Sequence, residues 1–341
     1  MYHFWLDRWD ERRAQRGEVA KKTTGFRIDA DLVFPDATSA TTIEEFCVLA
    51  ERATSSPAFF KAPTGHDPEY YREGEFLRFP SDLSTDVREN NLVWARITES
   101  GSHDKATVIF HHWNARSRNQ QIAKYLSKRG VAVIEISMPY HFERSRPGAE
   151  YADYMLSPSL GRTIQAIRQA VWDGQKLIRW LKKEGYCEIS VVGMSLGSWV
   201  AGLIAAHDPN VSKASLFLTA GSLADMVWTG RATRPIRDGL QTSIGIAELR
   251  RAWAPLNLEN YVYSLARANL DIQFILAKRD KVVLPAFSDA LIEKLRSIAT
   301  RANVLQLNCG HYSLAVPPYI LFAGVSLKRF LFQAQDPAFQ C

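Results

Sequence analysis

Cysteine is scarce and scattered. Cys47, Cys187, Cys309 and Cys341 are spread over 341 residues, and no C-x-x-C pair occurs. A zinc site or a dithiol redox motif therefore has no support, and a reducing, cytoplasmic setting is expected. Long apolar runs are missing too. The longest, around residues 319–327, falls well short of the roughly 20 residues that span a bilayer. Residues 1–22 alternate aromatics with charges and lack the apolar centre of a signal peptide. No basic stripe interleaved with aromatics is present, so nucleic-acid binding is not indicated. The net charge of +6 suits solubility, and equally an anionic substrate or surface. There is no internal repeat and no low-complexity segment.

What remains is the composition of a soluble globular protein, 46% hydrophobic and 23% charged. The length fits one large domain with insertions, or two domains. Residues 1–73 read as an appended segment packed on the core, and 74–341 as the main domain. Within the appended segment, Thr42 with Glu44 and Glu45 starts a helix through Arg52. Pro57, Pro63 and Pro68 then punctuate an irregular stretch, and Trp5 and Trp9 are spaced to share a helix face. No chemistry is legible there.

From Gly74 the rhythm changes. Residues 75–79 and 92–97 alternate like half-buried strands, and 106–110 and 131–136 are continuous apolar runs typical of strands buried on both faces. Helical patterns follow, the longest over 162–184, and strands recur near 188–192, 214–218, 272–276 and 304–307. The last helix spans about 314–332. This alternation predicts an α/β fold with a mostly parallel, doubly wound sheet. Residues 222–268 interrupt it and read as a helical cap inserted above the strand ends. Met226, Trp228, Trp253 and Tyr261 could line an apolar acyl pocket within that cap.

The organising stretch is Gly193-Met194-Ser195-Leu196-Gly197. A β-branched run precedes it and a small-residue helix follows, the strand–turn–helix context in which G-x-S-x-G presents a nucleophile. A serine hydroxyl needs a base. His311 follows the last strand and Asp280 the one before it, so Ser195, Asp280 and His311 fall on one rim of the sheet in the expected chain order. Asp225, after the 214–218 strand, is the rival acid.

Leu196 N–H, at a helix N-terminus, is the first expected oxyanion donor. Trp113 or Asn114 N–H, in the loop after the third strand, is the second. The pair His111-His112 lacks nearby acidic or thiol partners, and neighbours on an extended strand point apart, so no metal is expected. Arg144 and Arg146 follow the next strand and could bind a substrate carboxylate or phosphate. Trp228 completes the expected substrate contacts.

With these residues the chain resembles the α/β-hydrolase superfamily from about Gly74 onward. Pro139-Tyr140 and Trp180-Leu181-Lys182-Lys183-Glu184-Gly185-Tyr186 are similar to a little-described branch of hydrolase-domain proteins. The resemblance implies a serine hydrolase of the α/β-hydrolase fold, acting on a small-molecule ester through Ser195, His311 and Asp280 without a cofactor. An acyltransferase, a peptidase or amidase, and a non-catalytic ligand-binding protein remain open on the same fold. Many relatives carry His-Gly where this chain has His111-His112-Trp113-Asn114, which narrows the site.

Overall fold

The structure, a computed structural model, describes residues 2–19, 24–38, 40–64, 69–298 and 302–333. Pro68 and Cys341 lie outside them. The chain opens with two helices, α1 (Tyr2–Val19) and α2 (Ile43–Thr54), and two short strands, β1 (Tyr71–Glu73) and β2 (Phe76–Pro80). There follow β3 (Leu92–Thr98), β4 (Lys105–Phe110), α3 (Gln120–Ser127), β5 (Val131–Ile136), α4 (Leu160–Lys183), β6 (Glu188–Met194), α5 (Leu196–His207) and β7 (Val211–Phe217). Short helices α6 (Leu223–Thr229), α7 (Arg234–Leu240), α8 (Ile246–Ala252) and α9 (Val262–Leu265) separate β7 from β8 (Asp271–Ala277). The chain then runs through α10 (Pro285–Ser297), β9 (Ala302–Leu307) and α11 (Tyr319–Phe332).

The strands form one nine-stranded sheet in the order β1-β2-β3-β5-β4-β6-β7-β8-β9. β1, β2, β3 and β5 pair antiparallel, and everything from β5 to β9 pairs parallel. The mostly parallel sheet expected from the sequence is therefore present. Its parallel half sends the C-terminal ends of β4, β6, β8 and β9 to one rim, where open α/β sheets bind ligands. Apolar side chains cover both faces. The larger cluster packs α4, α5 and α10 on one face, and the smaller packs α3 and α11 on the other.

Local signals account for the element ends. Thr42 and Glu45 form a reciprocal capping box at the start of α2. Ser159 Oγ accepts the Arg162 N–H at 3.1 Å and starts α4. Several polar side chains of α4, Gln165, Gln169 and Asp173 among them, are buried. Gln165 donates to the Leu32 carbonyl, Gln169 accepts from Asn90, and Ser81 donates to Asp173. The segment before β3 thus lies across α4 and satisfies its buried polar groups. Among the described residues, no helix is long and apolar enough to cross a membrane.

Candidate active site

β6 ends at Met194 and α5 begins at Leu196, so Ser195 alone makes the turn between them. Its backbone sits at φ 51°, ψ −122°, a conformation that is strained for a residue with a Cβ. Two glycines allow it. A Cβ on Gly193 would overlap the backbone of Gly197 and Ser198, and one on Gly197 would overlap the Phe110 and His111 carbonyls. The Ser195 carbonyl accepts the Ser198 N–H at 2.7 Å and the Ser198 hydroxyl at 2.5 Å. Leu196 N–H lies in the first turn of α5, where no carbonyl of the helix can reach it.

Ser195 and His311 line the same cavity, of about 660 Å³. His311 Nδ1 lies 2.7 Å from Asp280 Oδ2. The other Asp280 oxygen accepts the N–H groups of Val282 and Val283 at 2.7 and 2.8 Å. The carboxylate is thereby pinned by its own loop and is only 4% exposed. An acceptor at Nδ1 puts the ring proton there and leaves Nε2 as the basic nitrogen. Asp225, the rival, is held by Arg250, whose Nε and Nη2 reach it at 2.6 to 3.2 Å.

The loop after β4 is fastened to the loop after β5 by two histidines. His111 Nε2 accepts the Met138 N–H at 3.1 Å, and His141 Nε2 accepts the Asn114 N–H at 3.0 Å. Each ring turns Nδ1 to a backbone carbonyl, that of His112 or of Pro139. The rings meet edge to face, their centroids 4.6 Å apart. Burial keeps both neutral, holding His111 well below the ordinary histidine range and His141 at about 4. The Asn114 backbone donor is thus engaged by His141, with the residue at φ 59°. Trp113 lines the cavity, and its indole N–H donates to the Ala152 carbonyl at 2.9 Å.

The expected anion-binding arginines are elsewhere. Arg144 is fully buried, paired with Asp173 at 2.9 Å and donating to the carbonyls of Asn90 and Ser137. It braces the core and cannot meet a substrate. Arg146 pairs with Asp153 and lies over Tyr154, away from the Ser195 cavity. The arginines that do line the cavity are Arg13, on α1, and Arg116. Both also line a neighbouring cavity of about 700 Å³. Among the described residues, neither has a carboxylate partner and no acidic side chain lines the Ser195 cavity.

The expected apolar pocket is also displaced. Of the aromatics and Met226 named from the 222–268 segment, only Met226 lines the cavity. Trp228 packs on the main core, Trp253 is fully buried with Nε1 donating to the Leu160 carbonyl, and Tyr261 meets His207 edge to face. Apolar lining comes instead from Ile109 and Val192 on the sheet, Ile122 on α3, and Ile320 and Leu327 on α11. α1 contributes Trp9, Arg13 and Gly17. The helix face expected from Trp5 and Trp9 is present, but nothing in the sequence places it at the site. The spacing of Asp7, Asp10 and Glu11 marks a helix face but does not say what the face meets.

Strained serine turn, buried acid–histidine pair and strand order define an α/β-hydrolase fold. A model of the family described as "alpha/beta hydrolase domain containing 18" matches residues 110–235, from the end of β4 into α7. Uncharacterized proteins from two strains of Mycobacterium tuberculosis are 24% identical over 177 residues, 49% of this chain. The match spans only 38% of those relatives' length. Among solved structures, an acetyl xylan esterase from a Paenibacillus species is 13% identical, covering 89% of this chain and 98% of its own, at a TM-score of 0.57. The Pyrococcus horikoshii acylaminoacyl peptidase is 10% identical, over 80% of this chain and 43% of its own, at 0.59. These likenesses establish the shared fold.

Proposed function

We propose that this protein is a serine hydrolase that cleaves a carboxylic ester. Ser195 Oγ attacks the ester carbonyl while His311 Nε2 takes its proton. The tetrahedral oxyanion is held by Leu196 N–H, with Trp113 N–H as the second donor. His311 returns the proton to the departing alcohol, and an acyl-enzyme remains. Water, deprotonated by His311, then releases the acid and restores Ser195. Asp280 keeps the imidazole in the productive tautomer and stabilises its cation.

The observation that carries the reading is the opening of Ser195 and His311 onto one cavity, with Asp280 Oδ2 at 2.7 Å behind the imidazole. Labelling with a fluorophosphonate, followed by peptide mapping, tests it. Label on Ser195, lost in Ser195→Ala together with ester turnover, is the expected result. An unlabelled folded protein would reject the reading. A panel of esters and amides, with and without acceptor alcohols, checks the reaction. Dominant transfer to the alcohol would make it an acyltransferase, and preference for amides a peptidase.

A further inference from the structure

We infer that Asp10, on α1, is a positioning residue for His311, so that the N-terminal helix is part of the catalytic apparatus. The inference rests on the proposed role of His311 as base.

His311 sits in the turn after β9, with Gly310 before it and Tyr312 and Ser313 after it. Asp280 restrains the imidazole but not the backbone that carries it. Asp10 does that. Its Oδ1 accepts the N–H groups of Tyr312 at 2.6 Å and Ser313 at 3.0 Å. Its Oδ2 accepts the Ser313 hydroxyl at 2.5 Å, and Ser313 Oγ in turn accepts the Gly310 N–H at 2.8 Å. One carboxylate thus ties the backbone on both sides of His311. Gly310 makes room for it, because a Cβ there would lie 2.5 Å from Asp10 Oδ2.

The neighbours of Asp10 on the helix face the other loop. Asp7 pairs with Arg279, and Glu11 pairs with Arg231 and, at 3.6 Å, with Lys281. Arg279 and Lys281 flank Asp280 in sequence. Three acidic residues within little more than one turn of α1 therefore hold the loops of both Asp280 and His311. Surface ion pairs alone contribute little. Charge-assisted bonds to partly buried backbone donors are stronger, which singles out Asp10.

Positioning of a base is sensitive. A misplacement of about 1 Å can lower turnover by about 10²-fold. Asp10→Ala should therefore reduce kcat and the rate of Ser195 labelling by about that factor, with KM and the melting temperature changed little. Asp10→Asn, which keeps an acceptor oxygen, should recover most of the loss. Gly310→Ala should mimic Asp10→Ala, and the double variant should be no worse than either single one, because both break one contact. Hydrogen exchange at Tyr312 and Ser313 should quicken in each. If exchange quickens while kcat and labelling stay at wild-type levels, the carboxylate only stabilises a loop and the inference falls. Full additivity of the two substitutions would also overturn it. Should Asp10→Ala fail to fold, Asp10→Asn and Gly310→Ala still carry the test. Absence of labelling in the wild type would instead reject the hydrolase reading, and the role of Asp10 with it.

Discussion

Asn114 N–H donates to His141 Nε2 at 3.0 Å, so the loop after β4 hangs on a histidine from the loop after β5. That bond exists only while His141 is neutral. Burial depresses its pKa from 6.5 to about 4. Above pH 6.5 neither folded nor unfolded chain binds the proton. Between about 6.5 and 4 the unfolded chain binds it and the folded chain does not, so stability falls as pH falls. Denaturation measured from pH 7 to 5 should show this, with a slope approaching about 1.4 kcal/mol per pH unit from His141. His141→Gln should remove this share of the slope and leave the shares of His111 and His112, which burial also depresses. An unchanged slope in that variant would mean that other groups set it.

Asp280 reaches His311 at 2.7 Å while Arg250 engages both oxygens of Asp225. Asp280→Asn is therefore expected to lose several orders of magnitude in kcat, about 10⁴ by analogy with serine proteases. Asp225→Asn should lose far less and mainly loosen the contact between α6 and α8. Steady-state kinetics of both folded variants decides between them. The opposite ranking would move the acid role to Asp225.

Arginine substitutions should separate by location. Arg144→Gln leaves Asp173 buried without its partner and should destabilise the fold by about 3–5 kcal/mol, visible in urea denaturation. Arg13→Gln and Arg116→Gln should leave stability alone. They should raise KM for esters bearing a carboxylate or phosphate, spare neutral esters, and do so less at high salt. Equal effects on charged and neutral esters would remove substrate recognition from both residues.

Chain-length preference should follow the apolar part of the Ser195 cavity lined by Ile122 on α3 and by Ile320 and Leu327 on α11. Ile320→Trp, which fills it, should shift the preferred acyl group to shorter chains. Trp253→Ala should instead cost about 3–5 kcal/mol of stability without changing the profile. An assay over a series of acyl esters reads both. A shift in preference from Trp253→Ala alone would return the acyl pocket to the 222–268 segment.

The sequence by itself determined the alternation of strands and helices, the sheet it builds and the serine turn. Hydrophobic period and glycine placement are local properties, and Gly193 and Gly197 bracket Ser195 within five residues. It also placed Asp280 and His311 at strand ends, where a parallel sheet brings C-termini to one rim. Tertiary structure alone decided which charges are spoken for. Arg144 and Arg116 look alike in sequence, but one meets Asp173 in the core and the other opens on the cavity. Asn114 N–H met a histidine 27 residues away, and Asp10 met backbone donors more than 300 residues away. Such partnerships depend on how loops and an added helix close over the sheet, and no local pattern of residues carries that information.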